Sequence, residues 1–440
     1  MEVPVLAIFL VLGIGAVMRP TWALTLAMLM YPLEQSLQGA VGIFRAIPAL
    51  ANFMIAGIVG LAALRAVFRQ ASPFVGYFNR AWVITASFYA WAALSLLWTP
   101  SMPQAGDMTR EGIPYLILFV IAAPILVDAV EDLRELAGLL IVFGTLVALS
   151  IIVNPEFNLK SGRLGLMITS TVRSSPLAIG ELGGTLIIVA ALYRTSYAGA
   201  WLKLARFAAF VCGAILAIYS GSRGQLLFAG AIAVGFFPMA RTVRSVVSFL
   251  GTALGIVFVA LGLLLISQFL LEGDMLRRWQ GDVLSAGVEV RRLNMLDLFK
   301  GFGENPLAWI FGLGWNAFSS YTDSAKEPYS HSIIVDVLCE LGIPALIAFG
   351  YLLGAVVRSS IALFRRWSGS DLERSAVTVF VALAAYQFLL ANKQGYLWGV
   401  GLSFLHWILL VRVDARDASL QGTAAEDPRF AGYQLALPRG

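Results

Sequence analysis

The chain is 440 residues long, 59% hydrophobic and 13% charged, with a formal net charge of +5. A soluble domain carries roughly 25% charged residues, so this composition excludes an ordinary soluble fold. The basic balance does not point to nucleic acid, because membrane proteins gather Lys and Arg in the loops that anchor them.

Apolar runs fall near 3–18, 21–34, 46–64, 81–99, 112–127, 136–153, 176–193, 204–220, 225–240, 245–270, 332–357, 374–391 and 396–411. Most approach the roughly 20 helical residues that a hydrocarbon core requires. Lipid cannot satisfy exposed backbone donors and acceptors, so such runs are read as helices. The alternating polarity of a membrane β-barrel is not visible. The first run lacks a basic start and a small-residue cleavage site, so it is read as a retained span rather than a signal peptide. The second run is short and is a candidate half of a broken pair with the first, which leaves twelve or thirteen spans. Cys212 and Cys339 lie within apolar runs and are read as free thiols.

The connectors set the orientation. Arg65, Arg69 and Arg80 share one; Arg194, Lys203 and Arg206 share another; Arg241 and Arg244 a third; Arg358, Arg365 and Arg366 a fourth. Arg412 and Arg416 follow the last run. Each group is an even number of spans from the next, so all fall on one side, which the positive-inside rule makes cytoplasmic. The acidic connector 128–135 falls there as well. Counting back places the N-terminus outside, or inside if the first pair is a single span. The expected architecture is an all-α polytopic membrane protein with one long, partly helical periplasmic loop at 271–331. Residues 1–411 then form the transmembrane domain, and the polar stretch 412–440 reads as a mobile cytoplasmic tail.

The opposite side collects the residues suited to chemistry. Arg223 stands in Tyr219-Ser-Gly-Ser-Arg-Gly224, between two runs with almost no loop. One reading is an arginine snorkelling to headgroup phosphates; the other is an anion site, with the small residues leaving backbone amides open. In the long loop, Arg277-Arg278 read as interfacial, whereas Arg291-Arg292 open a helical stretch leading to Pro306 and Gly312-Leu-Gly314. A guanidinium offers a planar, permanently charged fork suited to diphosphate. His331, one of two histidines, lies in Glu327-Pro-Tyr-Ser-His-Ser332 where the loop re-enters the membrane. A lone histidine is commonly structural, but near-neutral titration also suits it to take a proton from a hydroxyl. The other histidine, His406, reads as structural. Glu181, Asp336 and Glu340 are carboxylates within spans, where ionisable groups mark sites by default. For Glu340, packing beside Gly342 is the equal alternative. No His/Cys cluster, acidic ligand set or Walker loop is present, so neither a metal nor another cofactor is expected.

Ser-Gly-Ser-Arg-Gly at 220–224, the arginine-led loop helix, Gly312-Leu-Gly314, and His331-Ser with Glu340-Leu-Gly-Ile-Pro344 together resemble the O-antigen ligase and Wzy-type polymerase superfamily. The motif-bearing part spans roughly 160–355. The resemblance implies a metal-independent, membrane-embedded glycosyltransferase of the C class in the bacterial inner membrane. Such enzymes take a glycan from undecaprenyl diphosphate and move it to an acceptor hydroxyl at the periplasmic face. The acceptor is a lipid-linked repeat unit for a polymerase, the favoured reading, or the lipid A core for a ligase. Arg223 takes the place of the family's diphosphate-binding arginine, and Arg291 or Arg292 that of its loop arginine. His331 takes the place of the family's histidine, although Ser332 follows it where the family usually has Asn. Arg163, in Ser-Gly-Arg-Leu-Gly165, resembles another recurrent arginine-glycine element. Arg163, Ser222, Tyr329 and Glu340 complete the expected substrate-binding set. The rival class is a flippase or transporter, which would place polar residues and broken helices near the bilayer midplane.

Overall fold

The computed structural model describes residues 2–69, 72–160, 162–168, 173–194, 200–241, 247, 250–251, 254–255, 281–322, 330–394 and 397–426. Among them are eighteen α-helices and one two-stranded hairpin. The run at 245–270 lies almost wholly outside the described residues. Among the described residues, seven helical stretches are long and apolar enough to cross a membrane, and two shorter ones, Val5–Met18 and Pro176–Leu192, are apolar as well. The fold is that of a multi-pass membrane protein.

The first helices are α1 (Glu2–Met18), α2 (Pro20–Met28), α3 (Met30–Ala40) and a short α4 (Gly42–Ala46). The Glu2 carboxylate accepts from the Gly42 backbone N–H at 3.0 Å, so the start of α1 and the end of α3 lie at the same end of the bundle. Helices α2 and α3 therefore make one traverse, bent at Leu29, and the short second run is a broken span. The bend has a local cause: Pro32 in the first turn of α3 has no N–H to continue the ladder to Met28.

Next come α5 (Leu50–Arg69), α6 (Arg80–Ser95), α7 (Met102–Leu116) and α8 (Val130–Val153). Helix α7 contains Pro114 and continues through a π turn at Ile117–Ala122 and a 3-10 turn at Ala123–Leu126. The apolar pattern revealed only its second half, because Met102–Glu111 is polar. Between α8 and α9 (Pro176–Leu192) stands a hairpin of β1 (Phe157–Lys160) and β2 (Arg163–Leu166), with Lys160 opposite Arg163. Arg173 staples it, donating to the carbonyls of Lys160 at 2.7 Å and Asn158 at 3.0 Å.

Helix α9 is the hub. A Cβ on Gly183 would lie 2.6 Å from the Gly213 carbonyl oxygen and the Ala217 amide of α10 (Ala200–Tyr219). Small residues are what allow two membrane helices to approach this closely. On its other sides Gly180 admits the side chains of Ser220 and of Gln225 in α11 (Arg223–Ala240), and Gly184 admits the Tyr386 hydroxyl.

The long segment before the expected eleventh span holds α12 (Gly281–Glu304), α13 (Ala308–Phe311) and α14 (Phe318–Tyr321). The expected eleventh span is two helices, α15 (Ile333–Leu341) and α16 (Ile343–Arg366), divided at Gly342. Gly342 adopts φ +90°, a conformation in which a side chain is strained. Helices α17 (Asp371–Gln394) and α18 (Gly401–Glu426) complete the bundle.

One end of the bundle is closed by ion pairs between distant segments. Arg134 meets Glu373 at 2.8 Å, Arg194 meets Asp371 at 2.5 Å, and Arg366 meets Asp414 and Asp417 at 3.3 and 3.2 Å. Arg412, fully buried, reaches Asp128 and the Pro73 carbonyl at 3.0 Å each, and Arg416 also pairs with Asp128. Of the tail expected at 412–440, the first part is helical, and 427–440 lie outside the described residues. Helix α18 runs on through Glu426, and residues 412–417 are tied down because their charges have partners on the facing loops. Replacing Arg412 with Leu leaves Asp128 half-buried with one partner fewer. Thermal or chaotrope unfolding in detergent should register a loss of roughly 3 kcal/mol.

Candidate functional site

The other end of the bundle brings together most of the residues singled out by sequence. Helix α10 stops at Tyr219 and α11 starts at Arg223, so the turn between them is three residues. Its serines build the turn. The Ser220 hydroxyl donates to the Ala217 carbonyl at 2.8 Å and accepts from the Ser222 N–H at 3.2 Å. The Gly221 N–H donates to the Ile218 carbonyl at 3.0 Å. Two of the amides expected to stand open to an anion are thus used within the turn. What the turn offers a ligand is the Arg223 side chain at the head of α11, half-buried.

The last turn of α17 lies across this turn. Lys393 Nζ donates to the Ser222 hydroxyl at 2.5 Å, and its aliphatic stem covers Gly224, where a Cβ would lie 2.6 Å from Lys393 Cδ. Ser222 is therefore engaged by a lysine that the sequence reading passed over. The preceding residue, Asn392, accepts from the Ser332 hydroxyl at 3.2 Å. One helical turn thus bridges the Arg223 turn to the residue that follows His331. Gln225 fastens the same junction, donating to the Leu177 carbonyl at 2.7 Å.

Lys393 also lies within electrostatic reach of Arg291 and Arg163. That proximity separates the two loop arginines. Arg291 is half-buried on the face of α12 that carries the buried Asn294 and Leu298. Arg292, about 100° around the helix, is exposed and forks onto Glu289 at 2.6 and 3.0 Å. That hydrogen-bonded pairing holds the Glu289 carboxyl below its usual range and raises the Arg292 guanidinium. Arg291 is the member of the pair that joins the cluster. Arg163 enters it from the first position of β2.

His331 sits at φ +67° in a buried turn between Ser330 and Ser332. A non-glycine residue in this region is uncommon and is stabilised by its surroundings. Here the Ser330 hydroxyl donates to the Ser332 carbonyl and accepts from the Ser332 N–H, both at 3.1 Å. The Asp336 carboxylate accepts from the N–H of Ser330. The turn leads directly into α15.

Glu340, at the far end of α15, has a structural task. Its two carboxylate oxygens accept from the backbone N–H groups of Asn316 at 3.1 Å and Phe318 at 3.2 Å. The Gly314 N–H meets the Glu340 carbonyl at 3.0 Å and the Leu313 N–H meets that of Cys339 at 2.8 Å. Gly312 and Gly342 press against each other's segments, Gly342 facing the Ile310 carbonyl. Of the two readings open for Glu340, the carboxylate's bonds follow the packing one. Tyr329, Arg277 and Arg278 lie outside the described residues. Among those described, no three His, Cys, Asp or Glu side chains are grouped as metal ligands.

The site therefore offers guanidinium and ammonium groups from four separate segments, with a histidine turn linked to them through Asn392. No protein-family model matches the chain, and no curated protein matches it in sequence. Replacing Glu340 with Leu strands two buried backbone amides. It should cost on the order of 3 kcal/mol in thermal unfolding and expose 305–322 to limited proteolysis.

Proposed function

We propose that the chain is an integral-membrane glycosyltransferase of the O-antigen ligase and Wzy-type superfamily. Its donor is a glycan on undecaprenyl diphosphate, and the site end of the bundle faces the periplasm across the bacterial inner membrane. One observation carries the reading: Lys393 lies within reach of the charges of both Arg291 and Arg163, which come from two other, distant segments. Like charges gathered in a poorly solvated place repel, and a polyanion relieves that repulsion. The paired arginines at the opposite end fit the cytoplasmic side of the positive-inside rule.

Arg223, Arg291 and Lys393 hold the diphosphate, with Arg163 at the rim. His331 removes the proton from the acceptor hydroxyl as its oxygen attacks the anomeric carbon. The sugar–phosphate bond breaks, its electron pair passes to the diphosphate oxygen, and the cations stabilise the growing charge. The acceptor is most simply another lipid-linked repeat unit, making the enzyme a polymerase; transfer to the lipid A core is the ligase variant. After gene deletion, glycan of single-repeat length marks a polymerase. A rough core with accumulated lipid-linked polymer marks a ligase.

A second reading, a lipid-glycan flippase, is favoured by the α2–α3 break. Transfer in detergent, where no bilayer separates two compartments, distinguishes the two. With a lipid-diphosphate glycan as donor, Arg223→Ala, Arg291→Ala and His331→Ala should each lower turnover by roughly 100-fold or more. Arg292→Ala should stay near wild type. Normal polymer from the Arg223→Ala protein in cells would sink the proposal.

A further inference from the structure

Glu181 takes no part in the cation cluster. It sits on α9 more than a turn inside the helix start, and its Oε1 accepts from the Gln387 amide at 2.7 Å. Across from it, on α18, is the buried His406. Both residues line a cavity of about 20 Å³ between helices, together with Thr185 and Gln387. Leu29 and Pro32, the joint of the broken α2–α3 span, supply part of its wall.

Size and lining define what the cavity takes. A polar cavity needs roughly 10–15 Å³ to hold a water, and the water needs two to four polar partners. This one has room for water, and Glu181, Gln387, Thr185 and His406 are among the residues that line it. The imidazole's role follows from its other nitrogen. His406 Nδ1 lies 2.8 Å from the Leu402 carbonyl, which only accepts, so Nδ1 carries the proton. In the neutral ring, Nε2 is then an acceptor.

We propose that this cavity is a single-water site joining Glu181 to His406, and that the pair exchanges one proton through the water. In the forward step the Glu181 O–H gives its proton to the water oxygen as the water gives one of its own to Nε2. A carboxylate and an imidazolium result, with the water regenerated. The other titratable groups at hand are Tyr31 on the cavity wall and Tyr386, which faces Glu181 from α17. Among the described residues, no Lys, Arg or Asp side chain lines the cavity. Intramembrane ionisable groups are retained where they do work, and this pair is independent of the diphosphate reading.

The chain has only two histidines, which makes the test direct. Full-length protein labelled with ¹⁵N-histidine in nanodiscs gives two imidazole sets, and His406→Gln assigns them. The proposal expects an Nδ1–H tautomer for His406, magnetisation transfer from water to that ring, and an Nε2 resonance that Glu181→Gln moves by several ppm. Thr185→Val, which removes one partner of the water while keeping side-chain shape, should move it in the same experiment. An Nε2–H tautomer overturns the proposal. So does a ring that receives nothing from water, or an Nε2 resonance unchanged in both variants.

Discussion

Helix α9 must be thin on three sides, and the arrangement of the site follows from that constraint. Gly183 lets α10 approach to backbone contact, Gly180 leaves room for Ser220 and Gln225, and Gly184 receives the Tyr386 hydroxyl. With those three glycines in place, α10, α11 and α17 converge at one end around a common axis. Only then does the last turn of α17 lie across the α10–α11 turn, with Lys393 on Ser222 and Asn392 on Ser332. A larger side chain on α9 would separate those ends before any charged residue was touched.

The two ends of the bundle use basic residues differently. At one, arginines are neutralised by carboxylates on facing segments, which locks loops and helix ends together. At the other, Lys393 feels the charges of Arg291 and Arg163 and donates to the Ser222 hydroxyl. The first pattern serves assembly; the second underlies the proposed diphosphate site. The long segment before α15 belongs to both frame and site. Its portion from Leu313 to Phe318 is bonded to the end of α15 through Cys339 and Glu340, while α12 carries Arg291 inward.

Much of this was legible in sequence, and what was not has physical reasons. The spans were visible because lipid demands long apolar helices. Their ends were misjudged where polar residues continue a helix past the hydrocarbon edge, as at Met102–Glu111 and from Arg412 onward. The hairpin at 157–166 escaped notice because four-residue strands carry too little pattern, although Ser-Gly between Phe157-Asn-Leu-Lys160 and Arg163-Leu-Gly-Leu166 is a turn signal. Arg223, Arg163 and His331 were found as cations or a titratable group on the sparsely basic side. Lys393 met the same criterion, in the short connector 392–395, and was overlooked because that connector was treated only as a gap between spans. Choosing Arg291 over Arg292 required knowing which face of α12 turns inward, which adjacent residues cannot reveal without a packing partner.

The Arg412–Asp128 pair joins positions 284 residues apart. At synthesis rates of roughly 5–20 residues per second, that separation corresponds to about 15–60 s on the ribosome. Throughout that interval Asp128 waits for the partner that will bury it. Helix α18 is therefore the keystone of this end, and the nascent protein carries an internal marker of incompleteness until it arrives.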